Sequence, residues 1–534
     1  MEVEQEENEQ NIRRRQKTKK KSLTWTHHHV AVFVLTFSSY AFFHATRKTF
    51  SNVKATLSQE WTPSENNLTQ NQSRTDDIWN KHHLFKSDED AELYLGTLDS
   101  IFMISYAVGL YISGFLGDRL NLRILLSGGM CLSAIVVFVF GCLMEWVGPY
   151  YNMYVYGVLW SLNGLVQSTG WPCVVTCMGN WFGKSSRGFV LGAWSACASV
   201  GNIIGALEVT EVLDYGYAYA FLIPASVLFA GGVIVFFGLV VSPKEVGLPE
   251  PDENQSDVPV SDEGSDTEPL FNDIDESVND DNEEEDTNLR TLIAKRNRND
   301  ERNKAIGFFQ AFLLPGVIVY SLSYACLKLV NYAYFFWLPF YLHNKFGWKP
   351  QVADELSIWY DVGGIAGGIV GGFISDRLGH RSPVVVIMLL LSFPPIVVYS
   401  KAPADKVVNS IIMGVTGFFL GGPANLISSA ISADMGRQEN IKENKEALAT
   451  VTGIVDGTGS VGAAIGQFLV PVIQLHLNWQ WVFYFFLLML FLSALCIVKI
   501  FITETRELIR RFRLRRRRPN HLLIQEPDEV TDER

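Results

Sequence analysis

Gly114-Phe115-Leu116-Gly117-Asp118-Arg119-Leu120-Asn121-Leu122-Arg123 returns later in the chain as Gly372-Phe373-Ile374-Ser375-Asp376-Arg377-Leu378-Gly379-His380-Arg381. The aspartates stand 258 residues apart, and all ten positions keep that offset. Each copy follows a glycine-rich apolar run and precedes another. One Asp-Arg turn arises by chance, whereas two aligned copies in two hydrophobic hairpins mark an internal repeat. The pattern predicts two similar halves.

Outward from these turns, the 534-residue chain is 48% hydrophobic and 13% aromatic, with charge confined between apolar blocks. The blocks are about 20 residues long, enough to cross a bilayer. Candidate spans lie near 30–53, 93–114, 124–146, 152–176, 187–209 and 217–241, then 312–342, 355–374, 383–400, 407–433, 447–473 and 480–502. The expected fold is an all-α membrane protein of twelve transmembrane helices in two pseudo-symmetric six-helix halves, 25–241 and 312–502. A shorter echo supports the duplication: Ser199-Val200-Gly201 matches Ser460-Val461-Gly462, a register that pairs Ser195 with Asp456.

An even number of spans puts both termini on one side. Lys17, Lys19, Lys20 and Lys21 in the tail 1–24, and Arg511, Arg513 and Arg515 to Arg518 in the tail 503–534, assign that side to the cytosol. The apolar run after residue 24 is too long for a cleavable signal. Residues 54–92 then form a luminal loop, with N-glycosylation sequons at Asn67 and Asn71. Between the halves, 242–311 reads as a disordered cytosolic linker. Its stretch 245–286 holds eighteen acidic side chains and no basic one, and setting that stretch aside turns the net charge from −12 to +6. A mildly basic membrane body suits an anionic substrate.

Several readings fall away. All seven cysteines lie in the apolar blocks or at their edge and predict no disulfide framework. His27, His28 and His29 read as interfacial polar residues, and Cys173 and Cys177 have no companion ligands, so no metal is expected. Gly457, Gly459 and Gly462 match a dinucleotide fingerprint but sit in a membrane helix rather than a βαβ unit. With no nucleophile–base pair or phosphate loop, neither an enzyme, a cofactor nor a nucleic-acid partner is expected.

Charges inside spans usually face a water-filled path, because exposing them to lipid costs ~2.5–3.5 kcal/mol or more. Lys328 is the clearest such charge. Tyr40, His44, Arg47 and Lys48 fall at i, i+4, i+7 and i+8, one polar helical face. One cationic site in each half suits a phosphate ester, since a guanidinium grips phosphate oxygens in a fork and an ammonium acts as a point charge. Asp361 and Asp456 are candidates to pair with these cations or to bind a proton. Asp99 is expected to be hydrated near the luminal end, and Asp434 to sit at a cytosolic helix end beside Arg437.

The repeated Gly-x-x-x-Asp-Arg turn, with Asp118, Arg119, Arg123, Asp376, Arg377 and Arg381, resembles the loop signature of the major facilitator superfamily. Tyr40 with Arg47-Lys48-Thr49-Phe50 is similar to its organophosphate:phosphate antiporter branch. So are Gly170-Trp171-Pro172 leading to Trp181-Phe182 and Arg187-Gly188, and Trp337-Leu338-Pro339 after Lys328. Within that branch the twelve spans most resemble the sugar-phosphate exchangers, solute carrier family 37. The resemblance implies alternating access around a phosphate site between the halves. Arg47 would bind phosphate, Tyr40 and Tyr106 would line the cavity, and Lys328 would be the second half's cation. It also implies a phosphorylated small-molecule anion as substrate, inorganic phosphate as a candidate counter-substrate, and the endoplasmic reticulum as home, with the lysosomal membrane as the alternative. Two departures stand out. Asn331 is the nearest counterpart of an arginine in bacterial relatives, and Ser195 and Ala198 replace the Asn and His of phosphate-exchanging relatives. They keep a second class open: a transporter-like receptor, or a carrier that needs an accessory membrane subunit.

Overall fold

The computed structural model describes residues 26–62, 84–85, 88–147, 152–182, 187–248, 306–438, 441 and 447–517. Asn67, Asn71, most of the acidic linker, the tail 1–24 and residues 518–534 lie outside these residues, while the first part of the tail read as 503–534 is helical.

Among the described residues, twelve helical rods make up the body. In the first half these are α1 His27–Trp61, α2 Asp88–Gly117, α3 Leu122–Trp146, α4 Met153–Gln167 with Gly170–Trp181, α5 Arg187–Trp194 with Cys197–Val212, and α6 Tyr217–Gly238. The second half has α7 Val317–Phe346, α8 Pro350–Leu378, α9 Ser382–Tyr399, α10 Lys406–Met435, α11 Leu448–His476 and α12 Trp479–Arg517. Of these described helices, ten are long and apolar enough to cross a membrane. The other two are α4, which is broken, and α7, whose five tyrosines and Lys328 lower its hydropathy.

Local chemistry explains the breaks. Pro172 has no N–H to give the Ser168 carbonyl, α4 is interrupted at Ser168–Thr169, and Ser113 of α2 donates to the freed carbonyl at 2.9 Å. Gly316, with φ +89°, takes a left-handed turn that separates the short helix Phe308–Phe312 from α7. The seventh helix therefore starts at Val317 rather than 312, and Lys328 lies nearer its beginning than expected. In the other direction, α1 runs on to Trp61 and α2 begins at Asp88, shortening the connection read as 54–92. Lys54 did not end α1, because its head finds a buried partner inside the protein.

The halves touch where both helices are bare. A Cβ on Gly114 would lie 2.9 Å from the Gly453 Cα and 2.7 Å from the Ala449 carbonyl oxygen, so α2 and α11 meet backbone to backbone. The same holds for α5 and α8, where a Cβ on Gly192 would lie 2.7 Å from the Gly368 oxygen and 3.3 Å from the Gly372 Cα. Gly114 and Gly372 open the two copies of the repeat. Small residues there let packing act at close range between membrane helices.

Candidate functional site

The repeated carboxylates cap helices across the half–half boundary. Asp118, at the end of α2, accepts from the backbone N–H of Ala449 at 2.9 Å and of Thr450 at 2.8 Å, and from the Thr450 hydroxyl at 2.6 Å. Asp376, near the end of α8, accepts from the Phe189 N–H at 2.6 Å. Helix N-termini present unpaired donors and a partial positive charge, so each aspartate ties its half to the first turn of α11 or α5. The arginines of the two turns diverge. Arg119 donates to Phe115 and Ile306 carbonyls, and Arg123 pairs with Glu245 at 2.7 Å. Arg377 stacks on Phe373, while Arg381 bridges Asp376 at 2.6 Å and Asp434 at 3.1 Å. Asp434 thus engages the repeated turn itself.

Midway along the rods the cations converge. Arg47 is fully buried: its Nε donates to Gln167 at 3.2 Å, its Nη1 to the Tyr332 hydroxyl at 3.0 Å, and its guanidinium lies 4.6 Å from the Tyr106 ring centre. Among the described residues its Nη2 has no hydrogen-bond partner. Lys328 donates to Asp456 at 2.7 Å and to Ser460 at 2.8 Å, and its ammonium lies 5.0 Å from the Tyr332 ring. Tyr332 and Tyr106 therefore stand between the two cations. Tyr40 meets Tyr106 at 3.4 Å between hydroxyl oxygens.

Beside this cluster lies a cavity with about 70 Å³ of room, lined by Tyr40, His44, Lys48, Asn331, Asp361 and Asp456 among others. At about 10–15 Å³ per water it holds about five waters. A relay of hydrogen bonds crosses its wall from one half to the other. His44 Nδ1 lies 2.9 Å from Asn202 Oδ1, and the Asn202 amide donates to Asp361 at 2.7 Å. Asn331 accepts from the Tyr360 hydroxyl. Three expectations change here. Lys48, not Arg47, is the α1 cation on the cavity wall, because Arg47 turns into the tyrosine layer. Tyr106 lies behind that wall. Asp456 has a cation, but Asp361 is held by an amide. Ser195 bonds back to Gly192, while Ala198 lines the cavity.

At the end away from the repeated turns, α1 meets α7. Pro339 lacks the N–H that would reach the Phe335 carbonyl, and Lys48 and Ser51 donate to that oxygen at 3.0 and 3.1 Å. Ser51 and Lys54 also reach the Phe336 carbonyl. Lys54 pairs with Asp99 of α2, both buried, so Asp99 is not the hydrated residue expected. The halves thus meet at both ends of the cavity.

Comparisons with known proteins now decide the family. The Major Facilitator Superfamily profile matches residues 36–440. Sugar phosphate exchanger 3 of Gallus gallus is 58% identical over 92% of this chain and 95% of its own, and that of Homo sapiens is 57% identical over 89% and 94%. The chain belongs to the sugar phosphate exchangers of the major facilitator superfamily. Glucose-6-phosphate exchanger SLC37A2 of Xenopus tropicalis is 38% identical over 89% of this chain and 93% of its own. The proton:xylose symporter XylE, solved with 6-bromo-6-deoxy-D-glucose, shares the fold with a TM-score of 0.59 at 12% identity, covering 89% of this chain and 96% of that one. These relatives carry the names of transporters, not of enzymes.

Within this exchanger, sequence reasoning found Arg47, Lys48, Lys328, Asp361 and Asp456 and missed one cation, Lys54, together with the neutral holders Gln167, Asn202 and Tyr332. All four carry hydrogen bonds at or near the site. Gln167 and Asn202 had a readable signal, being amides inside apolar spans. Tyr332 stands four residues after Lys328, one turn along the same face, but among five tyrosines nothing marked it. Among the described residues no group of three or more His, Cys, Asp or Glu side chains is placed to hold a metal.

Proposed function

We propose that this exchanger moves a phosphorylated or phosphonate-like organic anion of the sugar-phosphate class, with inorganic phosphate as its counter-substrate, by alternating access. The observation that carries the reading is the charge balance of the central site. Arg47, Lys48 and Lys328 are buried there, and of the described carboxylates Asp361 and Asp456 are the two that line the cavity. Arg47 keeps a free guanidinium nitrogen and Lys48 faces the cavity. A phosphoryl group entering from either side would take up the Arg47 Nη2 and the Lys48 ammonium, and would compete with Asp456 for Lys328. Tyr40, His44 and Asn331 complete the substrate contacts, with Tyr106 behind the wall against the Arg47 guanidinium. The cavity holds only a few waters, so a sugar phosphate enters when the halves part at one end. Asp118, Arg119, Arg123, Asp376, Arg377 and Arg381 govern parting at the end of the repeated turns.

The test is uptake of labelled glucose 6-phosphate into proteoliposomes loaded with inorganic phosphate. Uptake that requires internal phosphate and fails in Arg47→Ala with Lys328→Ala supports the reading; full uptake by that double variant sinks the site assignment.

One observation favours a second reading, a receptor or a carrier that needs an accessory membrane subunit. Ser195 spends its hydroxyl on its own helix and Ala198 offers the cavity only a methyl group, where phosphate-exchanging relatives place polar side chains. A folded, purified protein that exchanges nothing alone but does so with a co-purifying membrane protein would favour it. We place the protein in the endoplasmic reticulum membrane, with the lysosomal membrane as alternative, both termini in the cytosol and Asn67 and Asn71 glycosylated. Glycosidase treatment and organelle fractionation test that placement.

A further inference from the structure

A smaller recess lies between the halves at the end opposite the repeated turns. Ser51, Asn52 and Lys54 of α1, Pro339, Phe340 and His343 of α7, and Asp354 of α8 line it. Its room, about 10 Å³, suits a single water. Among the described residues neither amide atom of Asn52 nor the Oδ2 of Asp354 has a hydrogen-bond partner, although Asn52 is 3% and Asp354 1% exposed.

The charged groups around Asp354 are committed elsewhere. Lys54 pairs with Asp99, Lys48 donates to the Phe335 carbonyl, and the His343 Nδ1 meets the Trp348 carbonyl at 2.6 Å. On its own helix, Glu355 is an exposed like charge and Asp361 is bonded to Asn202. No described cation forms an ion pair with Asp354. An ionised carboxylate buried without a paired cation is among the most costly groups a protein can hold, whereas a neutral carboxyl needs only a hydrogen-bond partner, and the Asn52 amide offers one across the recess.

We propose that Asp354 is a proton-binding site that couples a proton to opening of the exchanger at this end, an inference that rests on the transport reading above. With the halves together, Asp354 holds the proton and the recess stays shut. When they part, the carboxyl meets water, releases the proton to it, and becomes an anion beside Lys48 and Lys54. That anion draws both ammonium groups from the Phe335 and Phe336 carbonyls and so favours the open arrangement. Proton release and opening are therefore linked, each favouring the other.

Two measurements test this on the full chain in vesicles. Infrared difference spectra over a pH titration should show the carbonyl stretch of a protonated carboxylic acid in the wild type and in Asp354→Glu, absent in Asp354→Asn. Phosphate-loaded proteoliposomes should take up labelled glucose 6-phosphate at a rate that changes several-fold between acidic and neutral external pH. In Asp354→Asn the ratio of the two rates should fall to about one, whatever rate remains, and Asp354→Glu should restore it. An acid band unchanged in Asp354→Asn, or a pH response that survives in it, overturns the proposal. Wild-type uptake with no pH response overturns the coupling and leaves the transport reading standing. An acid band lost in Asp354→Asn, with no uptake by any variant, supports the proton site and counts against the transport reading.

Discussion

Lys48 of the first half donates to the Phe335 carbonyl of the second at 3.0 Å, and that carbonyl is open because Pro339 has no N–H to fill it. Ser168 and Pro172 repeat the device inside the first half, where Ser113 is the donor. In the central site a proline thus creates an acceptor for a cation that also faces the cavity.

Removing either side of this contact should loosen that end of the protein. A hydrogen bond from a charged donor is worth roughly 1.5–3 kcal/mol, a shift of about 10- to 150-fold between open and closed populations. Lys48→Ala, and to a lesser degree Pro339→Ala, should lengthen the distances between spin labels placed on α1 and α7 near that end. Unchanged distance distributions in both would mean the contact does not hold the halves together.

Arg47 uses two nitrogens on Gln167 and Tyr332 and leaves a third free. Arg47→Lys keeps the charge but gives up the fork, so it should lose about 10-fold or more in uptake, and Arg47→Ala more still. Equal activity of the lysine variant and the wild type in a labelled glucose 6-phosphate assay would assign Arg47 to general charge rather than directed bonding.

The Lys328–Asp456 pair is buried on both sides. Removing one partner strands the other, at a cost of about 3–5 kcal/mol, whereas replacing both by apolar residues is often neutral. Asp456→Leu should lower the melting temperature sharply, and Lys328→Met with Asp456→Leu should recover most of the loss while abolishing uptake. A double variant as unstable as the single one would argue against this pairing as the source of the cost.

Asp118 holds three donors of the second half, and Asp376 holds the Phe189 N–H of the first. Asp118→Ala should cost ~1–2 kcal/mol of closure at the end of the repeated turns, as loss of a helix cap does. A cysteine at Thr450, Ala449 or Gly117 would disturb the contact itself, since a Cβ on Gly117 would lie 2.9 Å from the Ala449 Cβ, so opening is better read from spin labels at the exposed Leu120 and Ile374. The distance between them should lengthen more in Asp118→Ala than in Asp376→Ala; the reverse order would contradict the cap assignment.

The sequence by itself determined the duplication, the apolar blocks and the buried charges, because each leaves a local mark. A ten-residue pattern repeats, a span needs about 20 apolar residues, and a charge among them is costly enough to be rare. Tyr40, His44, Arg47 and Lys48 could be placed on one face from helical period alone. Period could not say which of Arg47 and Lys48 faces the cavity, since both lie within that face and the choice depends on Tyr332 and Phe335 of the other half. It could not give Asp118 its donors at Thr450, 332 positions away, nor show that Lys54 neutralises Asp99. Such pairings exist only where two separately folded bundles meet, and the energy of a buried charge is set by the partner it meets there. The tertiary structure alone decided them.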